Sequence, residues 1–181
     1  MAEATRKTEN YTSCQQVGYI LSRCNYLATL GTITTLYFIL SAISFWITDY
    51  VVAVLERSQE EAFIIYICVG ALGPIIGVGF SGCIFDRMGG YRGRNTPLLF
   101  TAFVAIATVF ALISVLFWNA YVVAACVLLE LWFGGMTVPV LTGFMLAQVP
   151  ARMRPVASSI YTLFYNGLGM FPAPSVYGIV Y

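Results

Sequence analysis

AYVVAACVLLELWFGGMTVPVLTGFMLAQ, residues 120–148, is apolar almost throughout and carries one charged side chain, Glu130. A run of roughly 18 or more apolar residues is what a hydrocarbon core about 30 Å thick asks of an α-helix. Four further segments read the same way, at about 27–54, 62–85, 97–117 and 156–181. The composition agrees: 60% of residues are hydrophobic and 9% charged, against about 25% charged in an ordinary soluble domain. The expected fold is therefore all-α, a polytopic transmembrane helix bundle of five spans over 27–181. Residues 1–26 precede it as an N-terminal segment, with a short interfacial helix over 17–26, where Arg23 and Asn25 interrupt the apolar pattern.

Met1 to Gln16 is polar and lacks the apolar stretch and small-residue cleavage site of a signal peptide, so the first span is expected to insert and stay. The basic residues fix the orientation. Arg6, Lys7 and Arg23 precede span one, Arg87, Arg92 and Arg94 follow span two, and Arg152 and Arg154 follow span four. These three segments share one side of the membrane and hold eight of the nine Lys and Arg; the other side has only Arg57, beside Glu56, Glu60 and Glu61. The positive-inside rule places the N-terminus and the basic turns in the cytoplasm, in a membrane that the rule does not name. Trp46, Trp118 and Tyr121 fall near the opposite ends of spans, as interfacial aromatics do. Gly178-Ile179-Val180-Tyr181 has no charged or polar stop behind it and reads as the interior of a longer chain.

Several function classes are excluded or unsupported. The chain has no His, so a His triad, a His metal site and a His proton relay are absent. Cys14, Cys24, Cys68, Cys83 and Cys126 form no CxxC pair and read as small apolar residues, neither a disulfide framework nor a metal site. No paired intramembrane carboxylates and no P-loop pattern are present, so neither an enzyme nor an ATP-driven pump is expected, and no cofactor. A net charge of +1 gives no reason to expect a nucleic-acid partner.

Glycine separates the spans. Span two has Gly70, Gly73, Gly77, Gly79 and Gly82 with Pro74; span four has Gly134, Gly135 and Gly143 with Pro139; span five has Gly167, Gly169 and Gly178 with Pro172 and Pro174. Gly73 and Gly77 form a GxxxG pair, a spacing that lets helix backbones approach closely. Span three has no Gly and no charged residue. It is expected at the lipid-facing periphery, with spans two, four and five packed against protein. Glu130 lies about ten residues into span four, roughly 15 Å deep at 1.5 Å per residue and so near the midplane. A carboxyl there costs on the order of 2.5–3.5 kcal/mol on insertion scales and normally faces a bundle interior or a water-filled cavity. It is the candidate substrate or proton site; the alternative is a structural carboxyl bonded to a neighbouring helix. Trp46, Trp132, Tyr161 and Tyr165 are candidates to line a cavity for an amphipathic solute, whereas Asp49 reads as a hydrated helix-end carboxylate.

The turn after span two is more specific. Gly82-Cys83-Ile84-Phe85-Asp86-Arg87-Met88-Gly89-Gly90-Tyr91-Arg92 resembles the signature loop of the major facilitator superfamily, keeping Gly82, Asp86, Arg87 and Gly89. It departs where Gly90 and Tyr91 replace a basic pair, with Arg92 and Arg94 supplying charge later. The segment Ser22–Gly31 resembles the entry to the seventh helix of spinster-type transporters, and span five resembles their eleventh. In span four, Leu129-Glu130 stands where those proteins have Gly-Glu. The resemblance covers about residues 20–181. It implies helices seven to eleven of a twelve-helix transporter: an incomplete six-helix half lacking the first half and the twelfth helix. It implies alternating access, spans one and four lining a central cavity, and a small or amphipathic, lysolipid-like solute. The expected partners are membrane lipid, that solute and a complementary transporter half. The alternative is a non-transporting scaffold or regulatory half-transporter. Gly82, Asp86, Arg87, Gly89, Arg92, Arg152 and Arg154 would form a cytoplasmic gate, with Asp86 held at the start of span five, where Pro155 sits in the first turn and free N–H groups carry partial positive charge.

Overall fold

The computed structural model describes residues 12–87 and 96–180, and all regular structure among them is helical. A short helix α1 (Ser13–Leu21) leads into α2 (Cys24–Ala53). The interfacial helix expected over 17–26 thus begins earlier and stops sooner. The Thr12 N–H donates to Gln15 Oε1 at 3.1 Å and fixes the start. A break at Ser22–Arg23 then hands residues 24–26 to α2. Tyr26 explains that allocation. It is fully buried, and its hydroxyl donates to the Ala157 carbonyl at 2.7 Å, so the first turn of α2 belongs to the core.

The turn after α2 passes through Glu56 at φ 51°, and Ser58 caps the next helix by accepting from the Glu61 N–H at 3.3 Å. Glu60 and Glu61 lie in that first turn, where acidic groups suit the positive end of the helix dipole. Span two comprises α3 (Gln59–Ile67), a π-helical turn over Cys68–Leu72, and α4 (Gly73–Arg87). Pro74 lies just past that turn. It has no N–H to give the Gly70 carbonyl, and π-bulges relieve such a mismatch. Span three is α5 (Thr96–Leu116), and α6 (Ala120–Ala147) follows after a turn in which the Asn119 side chain accepts from the Tyr121 N–H at 3.0 Å.

Among the described residues, four helices are long and apolar enough to cross a membrane: Cys24–Ala53, Gln59–Phe85, Pro97–Leu116 and Ala120–Ala147. The fifth segment, expected as one span over 156–181, is interrupted. It comprises α7 (Arg154–Phe164), a π-helical turn over Tyr165–Met170, and α8 (Pro172–Val180). The cause lies in Pro172 and Pro174. Pro174 cannot donate to the Met170 carbonyl four residues back; the Ser41 hydroxyl of α2 donates to that oxygen instead, at 3.1 Å. A polar side chain on span one thus satisfies the break in the fifth segment.

Among the spans α6 is the most buried and α5 the least, as the absence of Gly from span three suggested. α6 packs on α4 along one side and α5 along another, and α2 packs on the π turn and α8 of the fifth segment. The α4–α6 contact is built from small residues. A Cβ at Gly73 would lie 3.1 Å from Leu131 Cβ, one at Gly77 would collide with the Trp132 carbonyl, and one at Gly135 would lie 2.9 Å from Pro74 Cα. The buried Ser81 hydroxyl ties the pair, donating to the Met136 carbonyl at 2.7 Å. With lipid outside as apolar as the helices, such close backbone contact is what holds the spans together.

Candidate functional site

Glu130 sits mid-way along α6 on the side that faces α2 and α5, and it is half-buried. Two cavities meet at it. One, of about 240 Å³, is bounded by Ala42, Trp46, Ile47 and Tyr50 of α2, by Ser114 and Val115 of α5, and by Tyr177 of α8. The other, of about 250 Å³, runs along Leu36, Ile39 and Leu40 of α2 and Val104–Ala111 of α5. A third, of about 170 Å³, continues along the same helices between Ala28–Thr32 and Pro97–Phe100, over Val140, Leu141 and Phe144. α2 and α5 each pack on α6 more than on each other, which leaves the gap.

The residues of α6 lining these cavities are Val123, Val127, Glu130, Gly134, Thr137, Val140, Leu141 and Phe144, with Leu131 at the edge. The steps of three and four residues make one stripe along a helix. Thr137 is fully buried in it and donates to the Gly134 carbonyl at 2.6 Å. Among the described residues, no hydrogen bond or ion pair reaches the Glu130 carboxyl. The structural alternative, a carboxyl bonded to a neighbouring helix, has no such bond here.

The other candidate residues divide. Trp46 shares the 240 Å³ cavity with Glu130. It is half-buried seven residues before the end of α2, beside Gly178, whose missing Cβ leaves the indole room at 3.3 Å. Trp118 and Tyr121 are exposed at the α5–α6 turn. Trp132 is not in the cavity. Two residues beyond Glu130, about 200° around the helix, it faces α4 and packs edge-on against Phe80 at 5.7 Å. Its indole nitrogen is buried without a hydrogen-bond partner among the described residues. Tyr165 lies in the fifth segment's π turn, stacked on Tyr37 at 4.3 Å and beside Tyr161 at 4.7 Å, apart from the residues that line the Glu130 cavities. Tyr37 was not singled out from sequence. Nothing distinguishes it from the other tyrosines until α2 is laid against the π turn. Asp49 is exposed, four residues before the end of α2.

Of the gate residues, Gly82 lies half-buried in α4 and Arg87 exposed at its end. Asp86 is in the last turn of α4, and its side chain lies outside the described residues, as do Gly89 and Arg92. Arg152 is exposed in a 3-10 turn, Ala151–Met153, and Arg154 is exposed at the start of α7. Pro155 is in the first turn of α7, where a missing N–H does no harm.

A family model described as Major Facilitator Superfamily matches residues 4–174. No curated protein and no solved structure matches the chain.

Proposed function

The chain belongs to the major facilitator superfamily, and from that premise we propose that it serves transport of a small or amphipathic solute by alternating access, with Glu130 as its substrate or proton site. The observation that carries the reading is the half-buried Glu130 carboxyl, without a partner among the described residues, at the junction of two cavities near mid-membrane. An intramembrane carboxyl is costly and such groups mark substrate, ion or proton pathways, and alternating-access sites lie near the midplane. Trp46 and Tyr50 supply aromatic surface beside it; Trp132 and Tyr165, which line neither cavity, would act only by packing.

Finer features of the reading rest on sequence. The loop from Gly82 to Arg92 and the segments at Ser22–Gly31 and span five favour a C-terminal half of spinster type, with lysolipid-like solutes as candidates. The distribution of Arg favours a cytoplasmic N-terminus. Asp86, drawn to the start of α7 with Arg152 or Arg154, would latch the cytoplasmic side. The test is uptake of labelled solutes, lysolipids included, into liposomes containing the chain, alone and together with a complementary half. Uptake that Glu130→Gln abolishes supports the proposal. Uptake unaffected by Glu130→Gln rejects the site, and no uptake together with stable hetero-association points to a non-transporting partner instead.

A further inference from the structure

Where α1 breaks into α2, the end of the bundle holds a cavity unlike the apolar ones around Glu130. It measures about 450 Å³ and is lined by Ser22, Arg23, Cys24 and Asn25 at the break and by Gln148 at the end of α6. None of the five is a hydrocarbon side chain. Both polar atoms of the Gln148 side chain, Nε2 and Oε1, are buried without a hydrogen-bond partner among the described residues. Arg23 is held from the other helix: its guanidinium donates to the Tyr19 hydroxyl of α1 and lies over the Tyr19 ring, 4.6 Å from the centroid. Its other N–H groups face no carboxylate among the described residues, none of which lines the cavity or pairs with Arg23. The first turn of α2 has no side-chain cap, so its free N–H groups add partial positive charge.

We propose that this cavity binds an anionic phosphate diester that also bears hydroxyls, a headgroup of the phosphoglycerol kind. Its phosphate oxygens accept from Arg23 and from Gln148 Nε2, and a hydroxyl donates to Gln148 Oε1. The amide decides the second half of that chemistry. It presents a donor and an acceptor together, and a bare anion would satisfy only the donor. Ser22 does not fill the role, because its hydroxyl already donates to the Tyr19 carbonyl at 2.8 Å. Arg decides the first half, since its planar fork matches phosphate oxygens. The level fits too. One apolar span begins at Cys24 and another ends at Ala147, so the cavity lies where hydrocarbon gives way to headgroups, and basic pockets at span ends take lipid phosphates. The same head reaches the site on a phospholipid or as the free ester. Once seated, it ties the α1–α2 break to the end of α6. The site shares no residue with the Glu130 cavities and stands or falls independently of the transport reading.

The chain carries its own reporter, because Cys24 lines the cavity and is exposed. The full chain in uncharged maltoside micelles is alkylated with N-ethylmaleimide while lipid is added, and the rates at Cys24 and Cys14 are read by peptide mass spectrometry. Cys14, exposed on α1, reports any general effect of the lipid. Phosphatidylglycerol should slow Cys24 relative to Cys14, saturably, at a mole fraction about tenfold below that needed of phosphatidylcholine, the effect of one charge-assisted hydrogen bond. Phosphatidylmethanol, equally charged but without hydroxyls, should fall between them. Arg23→Gln should remove the preference over phosphatidylcholine. Gln148→Leu, which fills the same space and leaves no buried amide, should remove the preference over phosphatidylmethanol. Equal protection of Cys24 and Cys14, parity of phosphatidylglycerol with either comparison lipid, or a preference that survives its variant overturns the proposal. Protection by glycerophosphoglycerol, the head without its acyl chains, assigns the site to the soluble ester, and protection by the lipid alone assigns it to the bilayer; either upholds the site. If Glu3→Gln/Glu9→Gln lowers the phosphatidylglycerol requirement by about tenfold, a carboxylate of the chain's own N-terminal segment is the occupant and the proposal falls.

Discussion

Replacing Gly77 by alanine should separate the two helices at the centre of the bundle. The added methyl would meet the Trp132 carbonyl oxygen and then the Met136 nitrogen at 3.2 Å, and both belong to backbone that cannot rotate away. Gly135→Ala repeats the test from the other helix. Its Cβ would lie 2.9 Å from Pro74 Cα and 3.0 Å from the Pro74 carbonyl oxygen, so α4 and α6 must part by about half an ångström to reach the 3.4 Å of an ordinary contact. Overpacking of this kind costs about 1–3 kcal/mol, with Gly77 at the upper end because its contact is tighter. Gly79, two residues along the same helix, has nothing within 4 Å of its missing Cβ. Alanine there gains helix propensity, up to about 0.8–1 kcal/mol. The assay is reversible unfolding in mixed micelles of maltoside and dodecyl sulfate, followed by circular dichroism and tryptophan fluorescence. Gly77→Ala and Gly79→Ala should differ by about 2–4 kcal/mol, the first destabilised and the second neutral or stabilised. If they agree within about 0.5 kcal/mol, the spread of ordinary surface changes, the small-residue seam is not what joins these helices.

Three further outcomes follow from the same unfolding assay. Tyr26→Phe removes the hydroxyl that reaches the Ala157 carbonyl and should lower stability by about 0.5–1.5 kcal/mol; an unchanged transition would mean that α2 and α7 are held by apolar contact alone. Gly169→Ala sets a Cβ 2.8 Å from the Thr34 carbonyl oxygen and 3.3 Å from Tyr37 Cβ, whereas Gly167 has open space, so the first should lose about 1–3 kcal/mol while Gly167→Ala loses none. Glu130→Leu should stabilise the chain, by at most about 2.5–3.5 kcal/mol, because the carboxyl has no partner among the described residues; a loss of stability would show it to be a structural group after all.

The sequence reached different depths for different features. Four long apolar helices were legible because twenty-odd consecutive apolar residues suit a bilayer-spanning helix. So was the exposure of span three, because a helix without glycine offers no close seam and α5 is indeed the least buried. The interruption of the fifth segment was half-legible: Pro172 and Pro174 stand in the sequence, but the Ser41 hydroxyl that makes the break tolerable is 129 residues away from Met170. Trp132 and Trp46 show the limit for the site. Both are tryptophans in apolar runs, and composition cannot separate them. The 200° between Glu130 and Trp132 follows from helix geometry, but which neighbour each face meets is decided only when α4 and α2 are docked on α6.

That docking gives α6 two faces of opposite character. Trp132 and Gly135 look towards α4, where missing side chains bring backbones into contact and a methyl group cannot be added, and Leu131 stands at the border, touching α4 at Gly73 and edging the cavity. Glu130, Gly134 and Thr137 look the other way, into a gap that α2 and α5 leave open. Glycine appears on both faces with opposite results: Gly135 is filled by Pro74, while a Cβ at Gly134 would meet nothing within 4 Å. A small residue therefore does not by itself mean close packing; at Gly134 it widens the groove one helical turn from the carboxyl. Tight packing on one face holds α6 rigid against α4, and that rigidity lets the other face present a lone carboxyl at fixed depth without a side chain to brace it. Stability and the candidate site thus occupy the same helix but separate stripes, the arrangement a protein needs if it is to hold a carboxyl at that depth without a partner among the described residues.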